Sequence, residues 1–186
     1  MTRATAYVLL FLGPQAFAGE FDVCVYGGTA GGVAAAIQSA RMGKSVVLIE
    51  PSQHVGGMTS GGLGWTDSGD KSAVGGIARE FYQRVKKHYD DPAAWKFGKR
   101  EDYKQYRPGD DAMWTFEPHV AERILREMLK AHKVEVVTGE RLRQRGCVIQ
   151  IAQTRRIIRI ETESDRAYRA SVYIDATYEG DLMRAA

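Results

Sequence analysis

EFDVCVYGGTAGGVAAAIQSARMGKSVVLIE, residues 20–50, reads as a strand, a glycine turn, a helix and a second strand, and the rest of the chain is organised around it. Phe21 to Tyr26 is a short apolar run, the pattern of a parallel strand buried on both faces. It runs straight into Gly27-Gly28-Thr29-Ala30-Gly31-Gly32. The glycines open a helix, whose residues from Val33 to Met42 are small or apolar with polar interruptions, so that it can lie close on a sheet until Gly43 stops it. Ser45 to Ile49 follows as a second buried strand, and Glu50 ends it.

The spacing of this βαβ unit carries its chemistry. Gly27 allows a tight turn, close approach of backbone to a pyrophosphate favours a very small residue two places on, and Gly32 lets the helix pack on the strand. The N–H groups and dipole at the helix N-terminus stabilise negative charge there, and Glu50 is placed to accept hydrogen bonds from ribose hydroxyls. One position departs from the general pattern: Thr29 stands where the second motif glycine is expected, so its side chain must point away from the phosphates or donate its hydroxyl to one. A glycine-rich turn can be purely structural. Strand, helix, second strand and terminal acid all in register select dinucleotide binding instead.

Composition sets the bounds. With 186 residues, 44% hydrophobic and 26% charged, the chain suits one globular domain. Its 26 basic and 23 acidic residues are interspersed, so no footprint for nucleic acid stands out. The densest basic clusters, Arg141 to Arg145 and Arg155-Arg156, read as outward, solvated positions of a β-hairpin. Residues 1–18 look different: Arg3 is a positive n-region, Ala4 to Gly13 a short apolar stretch, and Ala16-Phe17-Ala18 a small-x-small cleavage site before Gly19. They predict a secretory signal peptide, export of the chain, and a mature domain over residues 19–186. The apolar stretch is too short for a stable membrane span. Cys24 and Cys147 lie in separate strands and no C-x-x-C is present, which predicts two buried thiols and argues against a dithiol redox centre; no metal site is expected.

Beyond the first unit, Pro51 to Gly76 is dense in glycine and hydroxyl residues, and its Val55, Met58, Leu63 and Trp65 predict an ordered loop, either wrapped around a flat ligand or an Ω-loop packed on itself. Gly76 to Tyr89 is a helix burying Ile77, Phe81, Val85 and Tyr89, with Arg79, Lys86 and Lys87 outside. Asp90 to Asp111 is a polar and aromatic connection without periodicity, an excursion from the core. Trp114 to Glu117 is a short strand or turn, and Pro118 starts a helix running to about His132, with His119 at its surface. Val134 to Val137 is a buried strand. Leu142 to Gln153, Arg155 to Thr162 and Tyr168 to Asp175 then alternate as an antiparallel three-stranded meander.

The chain from Phe21 to Ala186 resembles the two-dinucleotide-binding-domain flavoproteins, most closely the FAD-dependent oxidoreductase family. The resemblance rests on VYGGTAGGVAAAIQSARMGKSVVLIEP, HVGGMTSGGLGWTD, FEPHVAERILREML and YIDATYEGDL, and within this family Thr29 is ordinary. It implies an α/β, Rossmann-like FAD-binding domain with a parallel sheet, flanking helices and the meander. It implies that Gly27, Gly28, Thr29, Ala30, Gly31 and Gly32 surround the FAD pyrophosphate and that Glu50 meets the adenosine ribose. Gly57, Met58, Thr59 and Ser60 would then lie between pyrophosphate and flavin, and backbone near Leu142 would meet the adenine edge. Ala176, Thr177, Gly180 and Asp181 look like the second flavin motif, with the acid near the ribityl and pyrophosphate part. The meander before that motif distinguishes FAD from NAD, because nicotinamide dehydrogenases continue βα there.

These expectations describe an exported flavoprotein, or its N-terminal portion, moving hydride equivalents between flavin and a small-molecule substrate that the sequence does not identify, with catalytic residues equally unidentified. The alternatives are a non-catalytic nucleotide-binding fragment and an NAD-dependent dehydrogenase. Because Ala186 follows the second motif so closely, the chain reads as truncated before a substrate domain, inactive alone, and exposing Leu63, Trp65 and Leu182. Some related flavoproteins link flavin covalently through a histidine in the loop after the second strand. His54 lies in that loop, where it can equally hydrogen-bond backbone in a turn.

Overall fold

A computed structural model describes residues 16–67, 69–143, 148–151, 154 and 156–186. The expected strand begins earlier than its apolar run: β1 spans Ala16–Tyr26, so the whole Ala16-Phe17-Ala18 segment read as a cleavage site belongs to it, while the residues before it lie outside those described. Helix α1 is Ala30–Arg41 and β2 is Val46–Glu50. The helix opens among the glycines, as expected, and Thr29 caps it, its hydroxyl accepting from the Gly32 N–H at 3.2 Å.

Helices α2 (Gly76–Asp90) and α3 (Pro118–Ala131) follow, then β3 (Glu135–Thr138), β4 (Val148–Ile151), β5 (Arg156–Glu161), β6 (Arg166–Asp175) and the short α4 (Asp181–Ala185). The six strands form one sheet in the order β3-β2-β1-β6-β5-β4. Its β3, β2, β1 and β6 are parallel, whereas β5 and β4 continue antiparallel from β6 as the meander. Strand β6 therefore serves both parts, pairing β1 along one edge and β5 along the other.

Alternation along the strands splits the core into two layers. Val23, Val25, Val46 and Leu48 face α1, α2 and α3, where Ile37, Phe81, Ile124 and Leu129 meet them. Cys24, Tyr26, Val47 and Ile49 face the other side and pack with Ile160, Tyr168 and Leu182. Leu182 is thus buried by α4 folding against the sheet, contrary to the expected exposure, while Leu63 and Trp65 are 73% and 59% exposed. Burial in this layer pushes the Cys24 thiol up to about 12, which keeps it protonated and unreactive. Cys147 lies outside the described residues.

Three other expectations are corrected. Of the strand predicted at Val134 to Val137 only Val134 is buried, because β3 is the sheet's edge and has β2 as its single neighbour. Asp90 to Asp111 is not an excursion: Trp95, Tyr103 and Tyr106 pack on the helical side of the core, and the Trp95 indole N–H donates to the Tyr89 carbonyl at 2.9 Å. That segment folds back over α2 and buries Lys86, which pairs with Asp90 and lies 4.5 Å from the centre of the Tyr106 ring.

Candidate FAD site

The site is built where the ends of β1, β2 and β6 converge on the first turn of α1. Gly27, with φ +105°, begins the turn; a Cβ placed on it would stand 2.7 Å from the Ala176 carbonyl carbon and the Thr177 nitrogen. At Gly32 a Cβ would stand 2.0 Å from the Gly27 carbonyl oxygen. The two glycine-containing motifs thus cross in contact, and the crossing is possible only with hydrogen at both positions. Thr29 fastens it: its hydroxyl donates to the Ala176 carbonyl at 2.8 Å. The hydroxyl proton is therefore spent inside the protein and is not offered to a phosphate.

The acid at the end of β2 is also tied in. One Glu50 oxygen accepts from the Gly28 N–H at 2.6 Å and the other from the Ser52 N–H at 2.7 Å. Each oxygen keeps a lone pair for a ribose hydroxyl. Behind it, Gly57–Thr59 makes a single 3₁₀ turn, and the Ser60 hydroxyl donates to the Val55 carbonyl at 2.6 Å. The Met58 N–H donates to the Tyr178 hydroxyl at 2.8 Å, which joins this turn to the second motif.

Asp175 organises that second motif. Its carboxylate accepts from the Thr177 hydroxyl at 2.7 Å, the Thr177 N–H at 3.0 Å and the Met183 N–H at 2.8 Å. Partial burial raises its pKa, but the bonds from Met183 and Thr177 outweigh that and hold the carboxyl below its ordinary value. A carboxyl depressed in the folded state adds stability above its unfolded pKa and loses it as pH falls through the folded one. Comparing wild type with Asp175→Asn by chemical denaturation should show the largest gap above about pH 4, shrinking towards lower pH. A gap constant from pH 7 to pH 2 would contradict this role.

These elements enclose a cleft of about 720 Å³. Of the residues singled out in the sequence, Gly27, Thr29, Glu50, Gly57, Ser60, Thr177 and Asp181 line it. Gly28, Ala30, Gly31, Gly32, Met58, Thr59, Ala176 and Gly180 belong to the adjoining turns and do not line it. Leu142 is buried, and its N–H donates to the Tyr26 hydroxyl at 3.0 Å instead of opening onto the cleft. Its neighbour Arg141, read from sequence as a solvated hairpin position, lines the cleft, while Arg143 pairs with Glu161 at 2.9 Å.

Sequence reasoning also missed Ser52, Glu122 and Tyr178, and His119 is a wall residue as well as an exposed one. Glu122 accepts from the Arg126 guanidinium at 2.9 Å and from the Val55 N–H at 3.3 Å, and meets His54 Nδ1 at 2.9 Å. Helical spacing back from the paired Arg126 was the available signal for it. Ser52 bridges the backbone of His54 through its hydroxyl, so His54 has the geometry of a hydrogen-bonded turn residue.

A sequence profile described as FAD dependent oxidoreductase matches residues 22–186. The chain belongs to this family. FAD is accordingly its cofactor, and the cleft fits it: the glycine crossing needs backbone without side chains, Thr29 at the N-terminus of α1 lines the wall, and the volume is that of a ligand pocket. No curated protein matches the chain in sequence. Among solved structures it is similar to THI4 of Thermovibrio ammonificans, with 15% identity and a TM-score of 0.54 over 90% of this chain and 63% of that one. L-proline dehydrogenase from P. horikoshii gives 15% and 0.53 over 88% and 54%. Bacillithiol disulfide reductase from Staphylococcus aureus gives 18% and 0.52 over 85% and 38%. The likeness is one of fold, and the chain spans only part of each of these proteins.

Proposed function

We propose that the chain is the FAD-binding part of an exported oxidoreductase that passes hydride equivalents between a small-molecule substrate and flavin. The observation that carries this reading is the contact crossing of Gly27 and Gly32 with Ala176 and Thr177, which holds a first and a second cofactor motif against one cleft. When bound, FAD supplies the two-electron chemistry. The chain's own residues bind and orient it. Backbone at Gly27 and the N-terminal turn of α1 receive the diphosphate, Glu50 holds the ribose, and the Gly57–Ser60 turn with Thr177 and Asp181 positions the part leading to the ring. Flavin titration with a dye-reduction assay on the chain tests the division of labour. Tight flavin binding without turnover is expected, and substrate-dependent dye reduction would show that these residues form a complete enzyme.

Export rests on the sequence of residues 1–18 and is tested separately. Cleavage after Ala18 leaves β1 its pairing with β6 from Gly19 onward, including Val23 with Val172 and Tyr26 with Asp175. N-terminal sequencing of secreted protein should begin at Gly19; material that begins at Met1 or Thr2 would rule the signal peptide out.

A further inference from the structure

The FAD cleft has a charge problem. Glu50, Glu122, Glu179 and Asp181 all line it, and the ligand assigned to it carries a dianionic diphosphate. Glu122 is matched by Arg126 at 2.8 Å, but Glu50, Glu179 and Asp181 have no cationic partner among the described residues. Arg141 is the one lysine or arginine in the wall among those residues.

Its surroundings leave its charge available. Glu140 is held by the Ser164 hydroxyl at 2.7 Å and by Arg166 at 3.1 Å, and Arg143 is taken by Glu161. Between them the Arg141 side chain is exposed and makes no ion pair or side-chain hydrogen bond with the described residues. Its backbone is nevertheless fixed on both sides. The Glu140 N–H donates to the Glu50 carbonyl at 3.1 Å, and the Leu142 N–H donates to the Tyr26 hydroxyl at 3.0 Å. Two bonds to the ends of β2 and β1 therefore present an unpaired guanidinium at the cleft.

We infer that Arg141 is the charge-balancing residue that lets this acidic cleft accept the adenosine diphosphate half of FAD, an inference that rests on the cleft being the FAD site. A guanidinium is charged at every working pH and donates to phosphate oxygens in a fixed fork. It offsets the neighbouring carboxylates, whose repulsion would otherwise oppose a dianion. The effect belongs to the ligand's charge and not to its base.

Equilibrium titration of the full chain with FAD, ADP and adenosine, for wild type, Arg141→Gln and Arg141→Lys, tests this. Arg141 makes no ion pair or side-chain hydrogen bond among the described residues, so both variants are expected to keep the wild-type circular dichroism and thermal midpoint. Arg141→Gln should weaken FAD and ADP by about tenfold and leave adenosine unchanged. Arg141→Lys should recover most of the loss, and the gap should narrow as salt rises from about 0.05 M to about 0.5 M. Unchanged FAD and ADP affinity in Arg141→Gln would overturn the inference. Equal weakening of adenosine and ADP, unrelieved by lysine, would also overturn it, since the guanidinium would then be stacking on the base. A folded wild type that binds neither FAD nor ADP would bring down the cleft assignment itself and the inference with it.

Discussion

Gly32→Val is expected to abolish flavin binding. The side chain would have to begin 2.0 Å from the Gly27 carbonyl oxygen and 3.0 Å from the Ala176 Cβ, a space filled by backbone that has no flexible end to move. Either α1 lifts from the turn or the turn opens, and each displaces the helix N-terminus from the cleft it serves. Overpacking of this kind costs about 1–3 kcal/mol, which a core shared by α1, α2 and α3 can absorb, so the variant should fold. Flavin content after purification, with circular dichroism as the folding control, is the readout. A folded Gly32→Val protein with normal flavin content would show that the diphosphate does not lie against this turn.

Glu50→Ala is expected to weaken FAD by roughly 1.5–3 kcal/mol, the worth of charge-assisted hydrogen bonds to a ribose. The structure adds a second consequence. The same carboxylate accepts from Gly28 and Ser52, so its removal leaves those N–H groups without their acceptor and loosens the turn beside the cleft. Glu50→Gln separates the two, since an amide oxygen can still accept one backbone bond but lacks the charge. The order of affinity should be wild type, then Gln, then Ala. An unchanged dissociation constant in Glu50→Ala would show that the ribose is held elsewhere.

The parts of the fold that were legible in the sequence are those where local pattern and tertiary environment agree. Val23 to Tyr26 and Val46 to Ile49 are apolar and buried throughout because β1 and β2 have strands on both edges and packed layers on both faces. Strand β6 reads as alternating because it is half exposed along much of its length, with Val172 at 52%. That pattern identified its meander partners but carried no sign of the parallel pairing with β1, which depends on residues distant in the chain. The glycines of the fingerprint were read as opening a helix, and α1 does start among them at Ala30; the Thr29 cap that fixes its first residue was not legible.

In the site, residues inside the two motifs were found, Glu50 and Asp181 among them, and side chains that reach the cleft from outside the motif positions singled out were not. Gly27 and Gly32 announce themselves because only glycine fits. Arg141, Glu122 and Tyr178 are ordinary residue types in ordinary local patterns, and only the convergence of three strand ends turns them toward one cleft. Lys86 failed for a related reason: its position on α2 reads as solvent until the Asp90 to Asp111 segment folds over it.

The identity of the bound cofactor decides what the cleft is for. Purified protein, incubated with flavins and nicotinamide dinucleotides together and then freed of unbound ligand, should be yellow with absorption in the visible blue, and the molecule released on denaturation should have the mass of FAD. A colourless protein that releases a nicotinamide dinucleotide, or nothing, would contradict the assignment of the Gly27–Asp181 cleft.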